Sequence, residues 1–119
     1  MKKISLSDAL KIVIKRINAG DVYGMLNKLD ESRFVDDGGA KTDYLIVLFE
    51  PSRGVSANLS VDFGALRAGQ DTYNPVVRVK WSSVNLDVDT ALAAITLYRE
   101  VIKLASDIQA MLNEYSIEV

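Results

Sequence analysis

The chain has 119 residues and a net charge of −2, and it contains neither cysteine nor histidine. This length predicts a single domain, spanning residues 1–119, with one core. The absence of cysteine excludes disulfides and thiolate metal sites. The absence of histidine removes the commonest general base and the commonest transition-metal ligand. We therefore expect a folded protein that is not an enzyme and that needs no metal and no cofactor.

Charge is distributed unevenly along the chain. Residues 1–33 carry an excess of three positive charges, and residues 84–119 carry an excess of four negative charges. A local positive excess favours contact with nucleic acid even when the net charge is negative. The longest wholly apolar run, 44–49, is far shorter than the roughly 18 residues that span a bilayer. We expect no membrane partner and a cytoplasmic location, in the host cytoplasm if the protein is viral.

The first predicted element is a helix that begins after Ser5. Ser5 and Asp8 have the spacing of a capping box. Apolar residues then recur at helical spacing, at Leu6, Leu10, Val13 and Ile17. Gly20 suits the position just after the helix, and a short helical turn is expected over 22–29. Residues 11–17, KIVIKRI, also fit a strand, which remains the alternative for this segment.

Three strands follow, predicted over residues 42–50, 55–63 and 75–83. The first is apolar on both faces, which predicts a central strand, and the second alternates between apolar and polar residues. Residues 51–54, PSRG, suit a hairpin between these two strands. Glycine-rich and polar composition predicts loops over 36–43 and 64–74.

The third strand contains the only tryptophan of the chain. Alternation places Trp81 on the face of the valines and puts Arg78 and Lys80 on the opposite face. In one interpretation Trp81 is core, and Arg78 and Lys80 form a solvated face on which Asp62 pairs with a cation across the sheet. In the other, the polar face follows a phosphate backbone and an aromatic side chain stacks on bases. The candidate nucleic-acid-binding residues are Arg78, Lys80, Tyr73, Arg53, Arg67 and Trp81.

A long helix is predicted over residues 89–113. One apolar row comprises Ala94, Leu97, Val101, Leu104, Ile108, Met111 and Tyr115, and a second lies beside it, at Leu92, Ile95, Ile102, Ala105 and Leu112. Either both rows pack on the sheet of the same chain, or the helix seals against a partner subunit. The candidate oligomer-interface residues are Leu97, Val101, Leu104, Ile108 and Met111. The carboxylates at Asp87 and Asp89 are best explained by the start of this helix.

Residues 78–108 resemble the ending of many small phage accessory proteins, in which a strand with a tryptophan leads into a long closing helix. The chain length and layout are also similar to those of small phage-encoded single-stranded DNA-binding proteins. The resemblance implies a small OB-type β-barrel, an oligomer, and single-stranded DNA held during replication or recombination. Such a barrel needs five strands, so residues 11–17 and 22–35 would have to supply the two that are not evident.

The sequence thus predicts an α+β domain with a small antiparallel sheet, an N-terminal helical segment and a long C-terminal helix. The first functional hypothesis is non-enzymatic binding of single-stranded DNA by a homo-oligomer, with other replication or recombination proteins as further partners. The alternative is a protein-interaction module, such as a phage accessory protein, an inhibitor or an assembly chaperone, that oligomerises through its C-terminal helix.

Overall fold

The computed structural model describes residues 2–20, 34–35, 44–52, 55–63, 75–81 and 85–118. Two helices and six strands lie within these ranges. In chain order they are β1 (Lys2–Ser5), α1 (Leu6–Gly20), β2 (Phe34–Val35), β3 (Tyr44–Ser52), β4 (Val55–Asp62), β5 (Val76–Trp81), α2 (Val88–Leu112) and β6 (Tyr115–Glu118). The predicted α+β class is confirmed.

The larger sheet is antiparallel, with the strand order β2-β3-β4-β5. Strand β3 lies between two neighbours, as its apolar sequence predicted. Strands β3 and β4 form the expected hairpin, in which Val47 lies opposite Leu59 and Ser52 lies opposite Val55. The described strands form no closed barrel, because β2 and β5 are the edges of an open sheet.

One face of this sheet packs against the hydrophobic core. The side chains that point to it are buried, namely Leu45, Val47 and Phe49 of β3 and Val55, Ala57, Leu59 and Val61 of β4. Alternation along the strands turns the intervening residues to the outer face. Both helices contribute buried side chains to the same core, which therefore lies between the sheet and the helices.

Helix α1 begins as its sequence predicts. The backbone N–H of Asp8 donates to Oγ of Ser5 at 3.1 Å, which satisfies one of the free donors of the first turn. The predicted apolar row, from Leu6 to Ile17, is buried. The strand alternative for residues 11–17 is therefore wrong. The helix includes Gly20, where an added Cβ would lie 3.2 Å from Cδ1 of Leu104. The turn predicted over 22–29 lies outside the described residues.

Strands β1 and β6 form a second, parallel sheet that the sequence analysis did not predict. Ile4 lies opposite Ile117, and Ile117 is buried. Nζ of Lys3 lies 3.8 Å from Oε1 of Glu118 in the same sheet. Strand β1 leads directly into α1, and β6 follows shortly after α2. The pairing of β1 with β6 therefore brings the two ends of the described chain together.

Helix α2 starts at an aspartate cap. Oδ1 of Asp87 accepts a hydrogen bond from the backbone N–H of Thr90 at 2.8 Å. This hydrogen bond is the main reason that the pKa of Asp87 is lower than usual, since it favours the ionised carboxylate. The assignment of Asp87 to the start of the helix is confirmed. The helix covers β4 and β5 and contacts α1, and its buried row runs from Ala94 to Leu112.

Candidate functional site

The outer face of the sheet carries the predicted cations. Arg78 lies opposite Ser60 and Lys80 lies opposite Asn58, and both cationic side chains are exposed. The predicted alternation of β5 is therefore confirmed. The predicted pairing across the sheet is confirmed too, since Nη1 of Arg78 lies 3.4 Å from Oδ2 of Asp62.

Among the described residues, positive charge is not concentrated on this outer face. Asp62 offsets the charge of Arg78, and the apolar side chain of Leu48, 55% exposed, lies in the same cross-strand row as Lys80. A groove that follows a phosphate backbone needs several cations that are not neutralised by nearby carboxylates. Tyr73, Arg53 and Arg67, the other candidates for this surface, lie outside the described residues.

Trp81 lies on the opposite face of β5 from Arg78 and Lys80. Its ring stacks against Tyr98 of α2, with ring centroids 4.8 Å apart, but the residue remains 42% exposed. The interpretation of Trp81 as core is therefore only partly correct. The side chain points to the predicted face of β5. However, Trp81 is the last residue of an edge strand, where solvent reaches the side chain. Trp81 cannot share one surface with the two cations of β5.

The structure places the candidate oligomer-interface residues of α2 in the core. Leu97, Val101, Leu104 and Ile108 are buried in the chain's own core, and Met111 packs against that core. The four buried residues therefore form part of the core of this chain rather than a surface for a partner subunit. Two apolar rows at similar spacing do not reveal from the sequence which of them faces the sheet.

Much of the second row instead faces solvent. Val88, Leu92, Ile95 and Ile102 are exposed by 76%, 58%, 46% and 46%. We call these four residues the outer row of α2. Val88 was not singled out from the sequence, although its spacing of four from Leu92 continues the same row. Ala105 and Leu112, which the sequence placed in this row, are buried.

A shallow groove of about 420 Å³ adjoins the outer row, between α2 and the edge strand β5. Val77 and Val79 line its strand side, and Ile102, Ala105, Gln109 and Asn113 line its helix side. Ile102 therefore belongs both to the outer row and to the groove. Together with the exposed edge of Trp81, these residues make one flank of the molecule apolar.

Gln109, which lines this groove, binds the backbone at the start of β5. Its Oε1 accepts from the backbone N–H of Val77 at 2.9 Å, and its Nε2 donates to the carbonyl oxygen of Pro75 at 2.9 Å. The side-chain amide thereby satisfies two backbone groups on the free side of β5. The sequence gave no signal for this role, since nothing in a helical pattern marks one glutamine as the partner of a strand.

Comparison with protein-family models, with curated proteins and with solved structures finds no match for this chain. Within the described residues, no cluster of three acidic side chains has a geometry that could hold a metal ion. The same residues include no helix that is both long enough and apolar enough to cross a membrane.

Proposed function

We propose that this protein is an interaction module that binds another protein chain through the outer row of α2. The observation that carries the proposal is the exposure of Val88, Leu92, Ile95 and Ile102 on one side of a single helix. Scattered apolar residues are normal on a protein surface, but a contiguous apolar patch usually marks a contact with another molecule.

The surroundings of the outer row support the same function. Trp81 and the groove beside β5 extend the apolar surface at one side. Charged residues border the row at the other side, at Asp89, Glu100 and Lys103, all of them exposed. An apolar centre with a polar rim and a large aromatic side chain nearby is the usual composition of a protein interface.

Site-specific photo-cross-linking in the cell that produces the protein tests this proposal. A photoreactive amino acid is placed at Ile95, in the outer row, and in a separate variant at Leu48, which is similarly exposed on the outer sheet face. We expect a defined cross-linked product from position 95 and none from position 48. Cross-linking from neither position, or equal cross-linking from both, would contradict the proposal.

A second candidate function, binding of single-stranded DNA, is favoured by Arg78 and Lys80. Both are exposed beside the polar residues Asn58 and Ser60 on the outer sheet face. In this function the cations of the outer sheet face contact the phosphate backbone of the bound strand. The proposal would assign the protein to replication or recombination of a phage genome.

Fluorescence anisotropy with a labelled strand of about 30 bases tests this second candidate. We expect an affinity that falls steeply with salt and that Arg78→Ala with Lys80→Ala reduces, because phosphate contacts release counterions. Lys11→Ala with Lys15→Ala is the matched control, since it removes two exposed cations from α1. No binding at low salt, or an equal loss in both double variants, would refute the sheet-face site.

A further inference from the structure

The outer row of α2 has the spacing of a helix-pairing seam. Val88, Leu92, Ile95, Arg99 and Ile102 follow one another at intervals of four, three, four and three residues. This heptad spacing keeps a row of side chains directed toward a second helix over several turns. We infer that the row binds the same row of a second copy of this chain, in an antiparallel helix pair. The inference rests on the proposed function and names its partner.

The charged residues beside the seam indicate that the partner of the outer row is a second copy of this chain. Asp89, Thr96 and Lys103 each follow one residue after a member of the outer row, and all three are exposed. Their spacing of seven places them on the same flank of the helix. In an antiparallel pair centred near Thr96, Asp89 of each copy lies beside Lys103 of the other. Symmetry therefore produces two opposite-charge contacts.

The apolar row and the charges share one centre. The row extends from Val88 to Ile102, so its midpoint is residue 95, and the midpoint between Asp89 and Lys103 is residue 96. The two centres differ by one residue, which is about 1.5 Å along a helix. The arrangement that aligns the two apolar rows is therefore the arrangement that aligns the opposite charges. The face is self-complementary, as a two-fold interface requires.

Arg99 disfavours the parallel alternative. This residue lies within the seam, so a parallel pair in register would place it directly against Arg99 of the second copy. Like charges at close range are destabilising and select against such a partner orientation. In the antiparallel pair, Arg99 lies against apolar residues of the second copy, which its aliphatic stem can cover while the guanidinium reaches solvent.

The edge of β5 is a weaker candidate for self-association than the helix. Gln109 already occupies the backbone N–H of Val77 and the carbonyl of Pro75 on that edge. Covering an edge in this manner is a common protection against strand pairing between chains. A single helix face buries a small area, so we expect a reversible dimer with a dissociation constant on the order of micromolar.

Sedimentation velocity of the purified full chain over a wide concentration range tests the pairing. We expect a monomer–dimer equilibrium that Ile95→Glu weakens by at least about tenfold, because the carboxylate would be buried in the seam. Leu48→Glu is the matched control and should leave the equilibrium unchanged, since Leu48 is equally apolar and exposed but lies on the sheet. Both variants change exposed residues, and circular dichroism confirms that each has folded.

Charge reversal tests the orientation. We expect Lys103→Glu to weaken the dimer by several-fold to about tenfold, since it turns two attractions into two repulsions. The double variant D89K/K103E should restore the affinity by exchanging the two signs. An unchanged dimer in the single variant, or no recovery in the double variant, would overturn the antiparallel pairing.

The same experiments separate this inference from the proposed function. A purified chain that stays monomeric at every concentration overturns the inference. If the photoreactive residue at position 95 nevertheless captures a different protein, the proposed function stands without self-pairing. If position 95 captures nothing and the purified chain is monomeric, both are wrong.

Discussion

Gln109 of α2 holds the backbone of Val77 in the edge strand β5. Val77 donates its N–H to Oε1 of Gln109, and Nε2 of Gln109 donates to the carbonyl of Pro75, both at 2.9 Å. The side-chain amide thus makes the two hydrogen bonds that a neighbouring strand would make. These two hydrogen bonds join α2 to the edge of the sheet, while the outer row lies on the exposed face of the same helix.

Replacement of Gln109 by Met should lower the free energy of unfolding by about 1–2 kcal/mol, because two backbone groups lose their partners at a partly buried position. Urea denaturation measures this change, and hydrogen exchange should report faster exchange at the amide of Val77. Ser106→Ala, on the same side of α2 and exposed, is the control and should change stability by less than about 0.5 kcal/mol. Similar effects in both variants would contradict the role of Gln109.

The two rows of α2 should respond oppositely to truncation. Ile108→Ala removes a fully buried side chain and should cost about 2–5 kcal/mol. Ile102→Ala removes an exposed one from the same helix and should cost about 0.5 kcal/mol or less. Thermal or urea unfolding in dilute solution, where the chain is monomeric, measures both. A large loss for Ile102 with a small loss for Ile108 would place the rows the other way round.

The position of these rows marks the limit of what periodicity can predict. The helical spacing from Ala94 to Ile108 predicted a long helix within one residue of its observed ends. Which row becomes core depends on where β4 and β5 meet the helix, and this is a tertiary contact. Both rows are apolar in sequence, and helical periodicity alone does not show which of them contacts the sheet.

The cap at Asp87 should make stability depend on pH. Its pKa in the folded protein is lowered, first by the hydrogen bond from the backbone of Thr90. The stabilisation is therefore fully present above the ordinary aspartate pKa of about 3.9, and it is lost as pH falls through the lower folded value. Asp87→Ala should be less stable than the unmodified protein at neutral pH, and the difference should shrink in acid. A difference that is constant from pH 7 to acid would contradict the cap.

Trp81 and Tyr98 should be energetically coupled. Their ring centroids are 4.8 Å apart at an interplanar angle of 31°. A double-mutant cycle with leucine at each position should yield a coupling energy of about 0.5–1.5 kcal/mol. Because Trp81 is the only tryptophan of the chain, its fluorescence should also shift in Tyr98→Leu alone. Additive stability changes and an unchanged emission maximum would show that the rings do not contact each other in solution.

Local patterns predicted the elements that have a strong period or a recognisable cap. The helix start at Ser5, the β3–β4 hairpin and the alternation of Arg78 and Lys80 all follow from a few neighbouring residues. The parallel pairing of β1 with β6 does not, because each strand has four residues and the two are distant in sequence. The burial of Leu97, Val101, Leu104 and Ile108 could not be predicted for the same reason, since it depends on contacts between distant segments.

The orientation of two copies of α2 can be measured directly with single spin labels, because the chain has no cysteine of its own. Labels are introduced at Thr96→Cys and, separately, at Asp107→Cys, both exposed positions. An antiparallel pair centred near residue 96 predicts a short separation at Thr96, near the roughly 10 Å between packed helices, and about 33 Å or more at Asp107. Short separations at both positions, or no coupling between labels at either, would contradict pairing through the outer row.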